Sequence, residues 1–165
     1  MTEGPFSRLR RARCPLPWTA SVVVATVFLP ITGCEPVDPA LIPDAQLQAE
    51  LGLTEDDRIH TVQISTGVGE RSDPDSVTVS AGELVQLVST DWFVHEVRFD
   101  LEVMALDTRA FLERTGQTVS PPLLQEGSRF VLSFANAPAG RYPYLLEGNR
   151  ESGLGEIVVA SPEGR

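Results

Sequence analysis

From about residue 59 onward, apolar and polar positions alternate in short runs. In HTVQIS, residues 60–65, Val62 and Ile64 share one face, while Thr61, Gln63 and Ser65 take the other. SVTVS and ELVQLVST repeat the pattern on either side of an Ala81-Gly82 turn. FVHEVRF sets Phe93, His95, Val97 and Phe99 against Val94, Glu96 and Arg98. RFVLSF turns Phe130, Leu132 and Phe134 inward, RYPYLL does the same for Tyr142, Tyr144 and Leu146, and GLGEIVV closes the series. Side chains alternate across a strand with period two, so each run predicts one half-buried strand. About seven such strands, separated by turn residues, predict an all-β sandwich or barrel. GVGERSDPD, with Asp73 and Asp75, reads as a loop rather than as a calcium loop.

Two stretches carry a helical period instead. LDTRAFLERTGQ, residues 106–117, predicts one short inserted helix. Asp107 is the expected N-cap, Arg109 and Glu113 an i,i+4 pair, and Gly116 the stop. PDAQLQAELGL predicts a short N-terminal helix that begins at Pro43 or Asp44, presents Leu47 and Leu51 on one face, and ends at Gly52.

Ahead of that helix the texture changes. A basic stretch with Arg8, Arg10, Arg11 and Arg13 precedes an apolar run from Trp18 to Thr32, which Pro30 interrupts. The run is short for a membrane span and fits a secretory signal. It ends in ITGC, Ile31 to Cys34, which resembles the lipobox of bacterial lipoproteins. That resemblance implies cleavage before Cys34 and acylation of Cys34 as the first residue of the mature chain. The expected organisation is a signal peptide over 1–33, an acylated cysteine with a Pro-rich tether and short helix over 34–58, and the sandwich over 59–160. The expected location is the bacterial cell envelope, extracytoplasmic and lipid-anchored, at a periplasmic or outer-membrane face.

Composition narrows the chemistry. The chain has 165 residues, 42% of them hydrophobic, which suffices for one packed core. Its net charge is −10 and it contains no lysine, so nucleic acid is not an expected partner. Of the two cysteines, Cys14 leaves with the signal peptide and Cys34 carries lipid. The folded domain is thus expected to hold no disulfide, no thiolate ligand and no cysteine nucleophile.

Several features taken together resemble the cupredoxin family, the Greek-key β-sandwich of small blue copper proteins. VTVSAGELVQLVSTD, HEVRF, FANAPAGRYPY and GLGEIVV follow the order of that family's strands and turns. The family binds copper through two histidines, a cysteine thiolate and usually a weak methionine at one end of the sandwich. His95 matches the first histidine. Leu146 stands where the cysteine belongs, Asn149 where the second histidine belongs, and Gly153 or Leu154 where the methionine belongs. The resemblance therefore implies a copper-site frame with three of its four ligands replaced. Leucine has no lone pair, and a single imidazole does not hold copper against competing ligands. No cofactor is expected.

The other candidates are weighed the same way. His95 is either a surviving ligand or pH-sensitive contact, or a relic hydrogen-bonded to a loop carbonyl; one histidine rarely makes a site, which favours the relic. A hard-cation or zinc site would need Asp91, Glu96, Glu147 and Glu151 to gather around it, which no spacing demands. His60 is expected at the surface without a role. Trp92 and Tyr142 form an aromatic patch only if both are exposed; packing is the expectation for them and for Tyr144. There is no Ser-His-acid order, no phosphate-binding glycine loop and no metal-spaced histidine pair. The expected function is a non-enzymatic binding or interaction module, held to the lipid bilayer through Cys34 and facing an envelope protein partner. Its working surface is expected at the loops near His95, Asn149 and the 106–117 helix. The alternative is an atypical copper or electron-transfer protein that uses His95 with a ligand supplied by a partner.

Overall fold

The computed structural model describes residues 38–161. The basic stretch, the apolar run, ITGC and Cys34 lie outside the described residues. Eight strands form two four-stranded sheets. The first sheet has the order β2-β1-β4-β6, with β1 Ile59–Thr66, β2 Glu70–Asp73, β4 Leu84–Ser89 and β6 Arg129–Ser133. The second has the order β3-β8-β7-β5, with β3 Ser76–Val79, β5 His95–Phe99, β7 Gly140–Gly148 and β8 Gly153–Val159. β1 runs parallel to β4 and β3 parallel to β8, while the other pairs are antiparallel. Chain crossing between sheets with mixed pairing is the behaviour of a sandwich.

The alternation seen in the sequence becomes the core. Val62, Ile64, Val85, Leu87, Val97, Phe99, Leu132, Phe134, Tyr142, Tyr144, Leu146 and Ile157 all turn inward and are buried. Phe111, Phe134 and Tyr142 form an aromatic group, with the Tyr142 ring edge-on to the other two. The Tyr142 hydroxyl donates to the Pro138 carbonyl at 2.7 Å. Burial pushes this phenol up to about 12.

One expected loop is a strand. β2 has no apolar alternation, because its inward residues are Glu70 and Ser72. Pairing with the end of β1, from Gln63 opposite Asp73 to Thr66 opposite Glu70, makes it a strand despite that composition. Phe93 falls outside β5 and is exposed, so the inward face of that strand starts at His95.

Helix α1 spans Ala45–Leu51, capped by the Asp44 carboxylate, which accepts from the Leu47 amide at 2.9 Å; it ends at Gly52 with φ 67°. Leu47 packs with Ile59 and Leu84 on the outer face of the first sheet. Leu51 is 48% exposed, contrary to the shared-face expectation, because Leu53, beyond the Gly52 turn, packs against that cluster. Helix α2 spans Leu106–Thr115 and stops at Gly116 with φ 68°. Its N-cap is Ala105, two positions earlier than expected, with Asp107 in the first turn, where a negative charge suits the helix dipole. Arg109 and Glu113 pair at 2.8 Å.

The location of α2 differs from the expectation. Phe111 meets Phe134 and Tyr142, and Thr108 lies against Gly140, at the start of β7. His95 pairs with Gly148 at the other end of that strand. The eight steps along these nine residues, at about 3.3 Å each, separate the two ends by roughly 26 Å. The helix is therefore remote from His95. From it the chain returns along β5: Phe99 donates to Thr118, Ser120 to Val97, and His95 exchanges two backbone bonds with Leu123. This covers the open edge of β5. No helix among the described residues is long and apolar enough to cross a membrane.

Candidate functional site

The end of the sandwich around His95 is built by four connections: the β1–β2 turn, the β4–β5 loop, the 121–128 segment and the β7–β8 hairpin. Asp91 organises the β4–β5 loop. Its carboxylate accepts from the Phe93 amide at 2.9 Å and from the Thr66 amide, at the end of β1, at 2.7 Å. Strand parity turns His95 into the core, where it is 0% exposed. The same parity on β2 turns Glu70 inward, and the two meet between the sheets.

The imidazole is gripped on both sides. Nδ1 lies 2.8 Å from Glu70 Oε2, and Nε2 lies 2.8 Å from Asp91 Oδ1. An ionised carboxylate only accepts. With both carboxylates ionised, each ring nitrogen therefore donates, and the ring carries the positive charge of a three-member ionic bracket. The Thr66 hydroxyl adds contacts to the Glu70 carboxylate at 3.2 and 3.4 Å. Glu70 is sealed from solvent, whereas the Asp91 side chain is 22% exposed. Burial pushes the Asp91 carboxyl up, but the Thr66 and Phe93 amides and the His95 ring outweigh it and hold it below its ordinary range. The Glu70–His95 bond joins β2 of one sheet to β5 of the other, and the Asp91–His95 bond ties in the β4–β5 loop.

Two glycines make room for it. A side chain at Gly148 would collide with the Glu70 carboxylate and the Val94 carbonyl, and one at Gly153 with the Glu70 backbone.

The residues matched to copper ligands do not form a donor set. Leu146 is 0% exposed, on β7 opposite Val97 and Gly153, and packs as core. Asn149 is exposed in the hairpin turn, Gly153 has no side chain, and Leu154 points outward at 73% exposure. Both ring nitrogens of His95 face carboxylates on opposite sides of the ring, so the three groups diverge instead of converging on one point. Among the described residues, no three His, Cys, Asp or Glu side chains are placed to hold a metal ion. This donor set does not fit type 1 copper, which needs a thiolate and two imidazoles aimed at one centre.

The acidic candidates separate likewise. Asp91 joins His95. Glu96 and Glu147 pair with Arg98 at 2.9 and 3.1 Å on the outer face of the second sheet. Glu151 is exposed and serves through its carbonyl, which accepts from the Glu70 amide. His60 is at the opposite end, half-buried and 2.9 Å from Glu83, rather than free at the surface. Tyr142 and Tyr144 are core, as expected, but Trp92 is 74% exposed. Glu70 was not a sequence candidate: a carboxylate in a Gly- and Asp-rich stretch has the signature of a turn. The only signal for it is that it lies two residues before Ser72, in step with the end of β1.

No family model and no curated protein matches this sequence. Solved structures do resemble it. The oxidized plastocyanin of Dryopteris crassirhizoma is 24% identical, covering 61% of this chain and 100% of that one, with a TM-score of 0.47. The copper-containing nitrite reductase of Thermus scotoductus is also 24% identical; the match covers 77% of this chain but 27% of that one, at a TM-score of 0.50. A purple cupredoxin from Nitrosopumilus maritimus is 19% identical over 61% of this chain, with a TM-score of 0.40. These are likenesses of fold and carry neither donor set nor activity with them. The described domain is a cupredoxin-like β-sandwich whose His95 end, by its side chains, is an ionic bracket beside a leucine-packed core.

Proposed function

We propose that this chain is a membrane-anchored extracytoplasmic lipoprotein. Its cupredoxin-like domain lacks a type 1 copper site and acts as a non-enzymatic binding or interaction module. The observation that supports this best is the double engagement of His95. A metal ion taking either ring nitrogen would break a charge-assisted hydrogen bond. At Nδ1 it would also have to enter a sealed interior, at the further cost of its desolvation. A ligand supplied by a partner does not remove that cost, which weighs against the copper-dependent alternative.

Binding is assigned to the loop end of the sandwich, where rigid strands present the β4–β5 loop and the 121–128 segment. The ITGC motif supports the anchor, and the net charge of −10 supports a partner other than nucleic acid. The test is a copper(II) titration of the purified protein, followed by calorimetry and visible absorption. The expected result is no tight binding and no copper–thiolate or copper–imidazole band. A tightly bound, intensely coloured species that disappears in His95→Gln overturns the reading.

A further inference from the structure

Eleven large hydrophobic residues are exposed among the described residues, and five of them lie at the His95 end. Trp92, Phe93 and Val94 are consecutive in the β4–β5 loop. The antiparallel bridge between His95 and Leu123 sets Leu124 beside Val94. Val68 sits 95% exposed at the tip of the β1–β2 turn, next to Thr66, whose amide shares the Asp91 carboxylate with that of Phe93. The bracket thus fixes a rigid platform beneath a cluster of outward apolar side chains.

The charge of this end differs from that of the molecule. The exposed charged side chains of its loops are Glu126, Arg150 and Glu151, a net of −1, against −10 for the whole chain. Asp91, Glu70 and His95 are neutralised among themselves apart from one residual charge. The chain also enters near this end. Asp44 pairs at 3.2 Å with Arg129, the residue that follows the 121–128 segment at the start of β6. At no more than about 3.5 Å per residue, the ten steps from Cys34 to Asp44 reach at most about 35 Å. A lipid on Cys34 therefore keeps this side of the domain within that reach of the bilayer.

We infer that the apolar tip formed by Val68, Trp92, Phe93, Val94 and Leu124 rests in the interfacial region of the lipid bilayer. The anchored domain then stands on its His95 end. The inference rests on the lipoprotein reading and names the membrane surface as what the loop end binds. The chemistry suits the partner: Trp and Phe partition to the headgroup boundary, and a nearly uncharged rim avoids repulsion by anionic lipid.

The protein supplies its own probe. Its two tryptophans are Trp18 and Trp92, so cleavage before Cys34 leaves Trp92 alone in the mature chain. The mature protein, purified from bacterial membranes, is reconstituted into phosphatidylethanolamine–phosphatidylglycerol vesicles containing acyl-brominated phosphatidylcholine. The expected result is a blue-shifted Trp92 emission that the bromines quench. In the double variant Phe93→Asp, Leu124→Asp the shift and quenching should be lost while the protein still floats with the vesicles. Vesicle-bound protein whose emission matches that of the double variant and resists quenching overturns the bilayer contact and leaves the anchor standing. A blue shift without quenching also overturns it and assigns the tip to a protein cover. Mature protein that does not float with the vesicles removes the anchor itself, and the inference with it.

Discussion

Replacing His95 by leucine takes the cation out of the bracket and leaves the Glu70 carboxylate sealed, with only the Thr66 hydroxyl, at 3.2 Å or more, as a donor. Removing one partner of a buried pair costs about 3–5 kcal/mol, chiefly because the other charge stays behind. Asp91 contributes little to that penalty: it is partly exposed and keeps the Thr66 and Phe93 amides. Glu70→Leu alone should cost less, about 1–3 kcal/mol, since it orphans one ring N–H of a histidine that still faces Asp91. The double variant removes both buried charges, and apolar replacements of a buried pair are often close to neutral. It should therefore be more stable than His95→Leu alone, which requires a coupling in a double-mutant cycle larger than the roughly 1–3 kcal/mol cost of Glu70→Leu. Urea unfolding followed by circular dichroism measures each corner, and an unchanged slope shows that the same surface is exposed. If His95→Leu does not fold, adding Glu70→Leu should restore folding. A loss below about 1 kcal/mol for His95→Leu, or strict additivity, would mean that the bracket is not a coupled ionic unit. The sequence alone makes His95 a relic tolerant of replacement; the two carboxylates at 2.8 Å make it one of the costlier positions to change.

Leu146→Ala should cost about 2–5 kcal/mol with an unchanged urea slope, as truncation of a fully buried leucine does; a negligible loss would mean that the position lines an open space. Asp91 is held below its ordinary value of 3.8 in the fold, so it adds stability above that pH and gives it up as acidification reaches the lower folded value. Wild type should therefore exceed Asp91→Asn in stability at neutral pH, with the gap closing below pH 3.8; a pH-independent gap would refute the assignment. In a bacterial host, labelled palmitate should enter the wild-type protein and not Cys34→Ser, and equal labelling of both would dispose of the lipobox reading.

Much of the sandwich was legible as period-two alternation, because β1, β4, β5, β7 and β8 bury apolar side chains on one face. β2 was not, because a strand that buries glutamate and serine has no hydrophobic period to detect. The same residue hid the centre of the site. Parity placed His95 and Leu146 inward, and chain order placed Asp91 near His95, four residues away. Glu70 is 25 residues from His95 and on the other sheet, so their contact exists only once the sheets have packed. Trp92 read as packing because aromatic residues usually pack; its exposure follows from the Asp91 turn, which aims the loop outward.

The close fit of Gly148 and Gly153 against Glu70 bears on how this end can change over evolutionary time. A larger residue at 148 would meet the Glu70 carboxylate, and one at 153 would meet the backbone at residue 70 whatever its side chain. Loss of Glu70 first strands a ring N–H in the core, and loss of His95 first strands the carboxylate. Each single loss is therefore worse than the paired one, so residues 70 and 95 are separated from an apolar pair by a valley that only paired substitutions cross.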